Sequence, residues 1–192
     1  MKLRITWSDG PDYPVLIKGA AVGAVDDRLF VAGGMSYPWR EGEYSFRLAL
    51  SEKAQHASGP PVPGETIESP LGTWDPIPPI PVGPGWTSGA AVAGGLAVVG
   101  GRRRAVGNRA IANVWFLDVE CGATVWERLP DRPSAGMVAT TIGDGDYLYS
   151  AFGSDWHPHE HATGDLRIYR MNVRTRSGWE TLCNFPGQPR WM

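Results

Sequence analysis

The sequence predicts an all-β protein built from one repeated unit, a four-stranded antiparallel sheet that occurs about three times. Three observations predict it. Trp74, Trp126 and Trp179 stand 52 and 53 positions apart, and each opens a short segment that runs to a proline. Ahead of each lies an apolar run ending at glycine: GAAVGAVDDRLFVAGG (19–34), GAAVAGGLAVVGG (89–101) and GMVATTIGDGDYLYSAFGS (136–154). Gly 25 and Pro 17 among 192 residues are more than helices tolerate, because glycine is costly inside a helix and proline breaks it. A recurrence of this length marks a repeat architecture.

Each unit reads in the same order. A small-residue strand, a tight turn and a second apolar strand form a hairpin, with turn chemistry at Asp26-Asp27, Gly94-Gly95 and Asp144-Gly145. A variable loop follows. The third strands are YSFRLAL (44–50), NVWFLDV (113–119) and LRIYRMNV (166–173). The fourth strands open at the periodic tryptophans: TWDPIPPIP, VWERLPDRP and GWETLCNFP. The N-terminal ITWSDGPDYP repeats the fourth-strand pattern with Trp7 in the tryptophan position, so Trp7, Trp74, Trp126 and Trp179 are expected in the core. The longer gap from Trp7 to Trp74 holds a Pro/Gly/Ser-rich insertion at 55–72, which reads as a loop.

A glycine doublet after an apolar strand, followed by a tryptophan that opens a strand ending in Leu/Ile-Pro, resembles the kelch repeat. Gly33-Gly34 and Gly100-Gly101 are intact doublets, and Phe152-Gly153 replaces the third. The tyrosine expected before the tryptophan is replaced by Leu117 and Met171. The resemblance covers nearly the whole chain and implies a kelch-type β-propeller of stacked four-stranded blades. It divides the single domain 1–192 into a closing outer strand (2–13), blade 1 (14–81, with the 55–72 insertion), blade 2 (85–133), blade 3 (134–186) and the start of a next blade (187–192). That inventory is an incomplete ring. It is expected from truncation of a longer protein, or from two copies that close a six-bladed ring as a homodimer.

Net charge is −2 and the pI about 6.1, which gives no general attraction to nucleic acid or to anionic membranes. No apolar stretch reaches the length of a membrane helix, and the N-terminus lacks the apolar run of a secretory signal, so the chain reads as soluble and cytoplasmic. Cys121 and Cys183 read as free thiols.

Propeller chemistry sits in the loops at one mouth, those joining strands two and three and those joining blades. The blade 2 loop, RRRAVGNRAIAN, carries Arg102, Arg103, Arg104 and Arg109, a cationic pocket suited to a carboxylate because guanidinium binds it bidentately. The blade 1 loop, MSYPWREGEYS, sets Trp39 and Arg40 beside Tyr37, Glu41 and Glu43, an aromatic face with a charge for a sugar ring. Packing of Trp39 on its own loop is the plainer alternative. The blade 3 loop, SDWHPHEHATGD, alternates His157, His159 and His161. A ligand-facing role for His157 and His159 competes with an ordinary exposed loop. Pro158 and the loop context argue against fixed metal geometry. No nucleophile motif, phosphate loop or paired-cysteine spacing is present, and no cofactor is expected. The expected function is a binding module that presents its mouth to an acidic small molecule or a protein partner. The alternative is a sugar isomerase resembling N-acetylneuraminate mutarotase, which would need a general acid and base beside a carboxylate clamp.

Overall fold

The small, β-branched and aromatic segments of each repeat pair as antiparallel hairpins, because alternate side chains then face two neighbouring sheets. The computed structural model describes residues 9–36, 40–50, 73–155 and 164–187. Most of the expected closing strand (2–8), the insertion at 55–72 and residues 188–192 lie outside them.

Three four-stranded sheets form the body. Blade 1 comprises β2 (Ala21–Val25), β3 (Arg28–Ala32), β6 (Ser45–Ala49) and β7 (Trp74–Pro76). Blade 2 comprises β8 (Ser88–Val92), β9 (Gly95–Val99), β12 (Val114–Asp118) and β13 (Glu127–Leu129). Blade 3 comprises β14 (Thr140–Asp144), β15 (Tyr147–Ala151), β16 (Arg167–Asn172) and β17 (Glu180–Asn184). All pairings within the blades are antiparallel and in chain order. A register shift between Ile168 and Tyr169 bulges the β16–β17 ladder. Short pairs extend the hairpins beyond the sheets: β1 (Ile17–Lys18) with β4 (Met35–Ser36) and β5 (Arg40–Glu41), and β10 (Arg102–Arg103) with β11 (Arg109–Ala110). The helical content of the described residues is a 3₁₀ turn at Arg104–Val106, and no helix among them is long and apolar enough to cross a membrane.

Two hairpin turns differ from expectation by one residue. Val92 pairs with Gly95, so the turn is Ala93-Gly94, with φ of 49° and 71°, rather than Gly94-Gly95. Gly95 is used for packing: a Cβ there would lie 2.6 Å from the Phe116 ring. Asp144 pairs with Tyr147, which moves the third turn to Gly145-Asp146. The Asp26-Asp27 turn stands as expected, closed by the Val25–Arg28 pair.

The first strands β2, β8 and β14 pack on one another in order and form the inner edge of the stack. Ser88 and Thr141 share a 2.6 Å hydroxyl hydrogen bond between β8 and β14. The core lies between blades. Ala21, Phe30 and Ala32 of blade 1 meet Leu96, Val98, Leu117 and Trp126 of blade 2. Ala90, Val99, Val114 and Phe116 of blade 2 meet Leu148, Met171 and Val173 of blade 3, with Trp179 against them. Leu117 and Met171, which stand where the repeat has tyrosine, are thus core residues.

The tryptophan period has a hydrogen-bonding cause. Trp126 Nε1–H donates to the Pro78 carbonyl (2.8 Å), Trp179 to Pro130 (2.9 Å) and Trp74 to Pro11 (3.2 Å). Each indole thereby ties its blade to the proline segment leading out of the preceding fourth strand, and Pro11 holds the position that Pro78 and Pro130 hold. Trp126 is buried, while Trp74 and Trp179 are half-buried. Trp126→Phe keeps an aromatic ring but gives up the larger indole's packing in the core and its donor, leaving the Pro78 carbonyl without its indole partner. A loss of about 2 kcal/mol is expected, read as a lower urea midpoint at unchanged slope.

The doublets share one conformation. Gly33 and Gly34 (70°, 96°), Gly100 and Gly101 (60°, 109°), and Phe152 and Gly153 (62°, 96°) all have positive φ. Phe152 therefore keeps the backbone of the doublet at a cost of roughly 1–2 kcal/mol. It stacks edge-on against Phe185, ring centroids 5.0 Å apart.

Candidate functional site

After each doublet the chain runs beside the segment that enters its own blade. Lys18 pairs with Met35, Gly85 with Arg102, and Met137 with Ser154. Residues following the doublets are therefore held at the rim, next to the start of the innermost strands. In blades 1 and 2 the strand-two to strand-three connections rise from this rim as the β4–β5 and β10–β11 hairpins.

The two hairpins are clipped together by Glu41. Its carboxylate accepts the Arg104 backbone N–H at 2.6 Å (Oε1) and 2.7 Å (Oε2), and Arg102 Nε stands 3.9 Å from Oε1. The Arg102 and Glu41 side chains are 13% and 11% exposed, so this pair is largely withdrawn from water. Arg102 Nη2 also lies 3.5 Å from Met35 Sδ. Of the four arginines singled out in this loop, Arg102 is thus engaged within the protein. Arg103 is half-buried, and Arg104, Arg109 and Arg40 are exposed. Arg103 and Arg109 are directly opposed across the β10–β11 ladder, a like-charge pair that destabilises a hairpin unless something neutralises it. Among the described arginines, the guanidinium groups of Arg40, Arg103, Arg104 and Arg109 have no described carboxylate within 4.0 Å, and those of every other one do. Trp39, His157, His159 and His161 lie outside the described residues.

A second charged cluster joins blades 2 and 3 and was not apparent from sequence. The Arg132 side chain is wholly buried. It donates through Nη1 to the Ser134 carbonyl (2.9 Å) and through Nη2 to the Phe152 carbonyl (2.5 Å), and it lies 5.0 Å over the Tyr169 ring. Asp165, its side chain 8% exposed, stands 3.7 Å from Arg132 Nη2 and 2.9 Å from Arg167 Nε. Asp165 Oδ2 accepts the Tyr169 hydroxyl at 2.7 Å. Burial pushes the Asp165 carboxyl up, but hydrogen bonds from Arg167, Tyr169 and Ser134 outweigh it and hold the group below the ordinary carboxylate range. Burial, and then the bond to Asp165, push Tyr169 up to about 12. Asp165 is therefore an ionised acceptor and Tyr169 a protonated donor at neutral pH. A cleft of about 250 Å³ opens beside them, lined by Ser134, Gly153, Asp155, Gly164, Asp165 and Arg167. The sequence signal for this cluster was an arginine in the inter-blade segment DRP. Its partner lies 33 positions away in a different loop.

No protein-family model and no curated sequence matches the chain. The solved structure of YjhT is similar to it at a TM-score of 0.69 and 14% sequence identity, over 92% of this chain and 54% of that one. The chain thus spans about half the length of the YjhT chain. At that identity the likeness speaks for the fold, and it agrees with the sheet topology: the described residues form three consecutive four-stranded antiparallel blades of an all-β, propeller-like protein.

Proposed function

We propose that this chain is a binding module whose mouth at blades 1 and 2 takes a carboxylate-bearing ligand, either an acidic small molecule or an acidic segment of a protein partner. The observation that carries the reading is the set of uncompensated cations. The guanidinium groups of Arg40, Arg103, Arg104 and Arg109 lack an acidic partner among the described residues, on two hairpins that Glu41 holds side by side. Guanidinium forks match carboxylates bidentately, and the opposed Arg103–Arg109 pair is relieved when an anion sits between them.

The sugar-isomerase reading has less support at this place. Proton transfer there needs a carboxylate free to face the ligand. Glu41 is instead occupied by the Arg104 N–H and by Arg102.

The test is a titration with N-acetylneuraminate and with a hexaglutamate peptide, each followed calorimetrically at low and high salt. Arg103→Gln and Arg109→Gln should each weaken binding about tenfold, and added salt should weaken it further. Affinity unchanged in both variants would remove the arginine reading. In parallel, anomer exchange of N-acetylneuraminate can be followed by NMR, and an unaltered rate on adding protein would remove the isomerase.

A further inference from the structure

Gly19, Trp86 and Val138 occupy one position in three successive blades, two residues before each innermost strand. All three have left-handed backbone, with φ of 64°, 55° and 56°. They are chained around the rim by hydrogen bonds between blades, Thr87 N–H to the Gly19 carbonyl (3.0 Å) and Val138 N–H to the Trp86 carbonyl (2.9 Å). The conformation is imposed by the rim and is costly for any residue with a Cβ. Glycine fills it in blade 1, so nothing in the local backbone asks for a side chain.

Blade 2 nevertheless carries the largest side chain there. The Trp86 ring is half-buried and leans across the seam to blade 1: a Cβ on Gly19 would lie 3.0 Å from Trp86 Cα and 3.2 Å from Cε3. Lys18 Nζ stands 4.8 Å from the ring centroid. The residue before Trp86 is Gly85, which exchanges two backbone hydrogen bonds with Arg102 (3.0 and 2.6 Å). Trp86 therefore follows directly on the residue that pairs with the base of the arginine hairpin, while its ring lies on the blade 1 side. Trp86 and Val138 both bear that strain at the rim, a feature that is enriched at functional sites, and of the two Trp86 carries an indole, which presents a flat face to rings and to cations.

We propose that Trp86 is a ring-stacking residue of the mouth, and that the ligand bound by the arginine hairpin is a cyclic acid whose ring lies on the indole. This rests on the arginine reading above for the carboxylate, and on Trp86 alone for the ring. A sugar acid and an aromatic acid share that chemistry.

Four probes separate the components: glucuronate (ring and carboxylate), gluconate (carboxylate without ring), methyl glucoside (ring without carboxylate) and benzoate (aromatic ring and carboxylate). Binding is followed by intrinsic tryptophan fluorescence and calorimetry on the wild type, Trp86→Gly, and the double variant Arg103→Gln/Arg109→Gln. A cyclic acid should bind the wild type at least about tenfold more tightly than gluconate and lose that margin in Trp86→Gly. Glucuronate or benzoate ahead of the other tells a sugar from an aromatic acid. Trp86→Gly should unfold within about 5 °C of the wild type, because removal of the left-handed cost offsets the loss of a half-buried ring. A fall of more than about 5 °C would assign Trp86 to packing and overturn the proposal. Equal binding of cyclic and open-chain acids, lost only in the arginine double variant, overturns the stacking role and leaves the arginine reading standing. Methyl glucoside bound as tightly as glucuronate and lost only in Trp86→Gly removes the arginine reading and keeps the stacking role. Failure of both cyclic acids to bind the wild type at millimolar concentration overturns the proposal outright.

Discussion

Asp165→Asn is expected to destabilise the protein by about 3 kcal/mol, the cost of leaving a buried arginine without its counter-charge. The Arg132 side chain is wholly buried, and its two terminal nitrogens already serve the Ser134 and Phe152 carbonyls. Its positive charge has Asp165 as the compensating anion, and the same carboxylate accepts from Tyr169 and Arg167. Asparagine keeps the shape and one acceptor and removes the charge. The sign of the pH dependence follows from the depressed carboxyl of Asp165. A group whose folded-state pKa is lowered contributes stability in full above its unfolded value, about 4 for aspartate. That contribution is lost as pH falls through the folded value. The gap between wild type and Asp165→Asn should therefore be constant from neutrality down to about pH 5 and shrink below it. Urea unfolding at a series of pH values measures this. A gap independent of pH down to full protonation would show that Asp165 acts through shape alone. The double variant Arg132→Met/Asp165→Asn should recover part of the loss, because it removes the stranded charge as well.

Gly143→Ala is expected to cost about as much, roughly 3 kcal/mol or more, by overpacking. Gly143 lies in β14, where an added Cβ would overlap the Ala91 carbonyl oxygen and come within 2.9 Å of both the Ala91 carbonyl carbon and the Val92 Cβ. The obstacle is the β8 backbone together with the Val92 Cβ, neither of which can rotate away. β8 is locked into blade 2 and β14 into blade 3, and Ala93 N–H donates across to the Gly145 carbonyl at 2.9 Å. Relief therefore requires one blade to move against the other. Gly145→Ala is the matched control. Nothing lies within 4 Å of a Cβ there, and only its φ of 55° is at stake, so about 1 kcal/mol is expected. Urea midpoints of the two variants, followed by intrinsic tryptophan fluorescence, compare them directly. Equal losses would mean that β8 and β14 can separate cheaply.

These two residues show where local pattern stops being informative. Gly143 belongs to GDGD, and by its neighbours it reads as part of a hairpin turn. Its smallness is demanded by a strand some fifty residues away. The same holds for Gly95, which looks like the second half of a Gly-Gly turn and is a strand residue under the Phe116 ring. Turn chemistry and close approach both select glycine, and a single sequence does not tell them apart. Arg102 illustrates the charged counterpart. The run Arg102–Arg104 with Arg109 announces a cationic loop, but Glu41, 61 positions earlier, withdraws Arg102 and leaves the others uncompensated. Trp86 carried no signal of its own, since it stands outside the tryptophan period. Its left-handed backbone is visible only in three dimensions.

The sequence by itself determined the four strands of each blade, their antiparallel order and the recurrence of the tryptophans. Those features depend on neighbours a few residues apart and on a period that copies itself. Only the tertiary structure decided which glycines separate blades, which arginines are already paired and which ring stands at the rim. Each of those depends on how one sheet lies on the next, and stacking brings together residues whose separation along the chain carries no regular pattern.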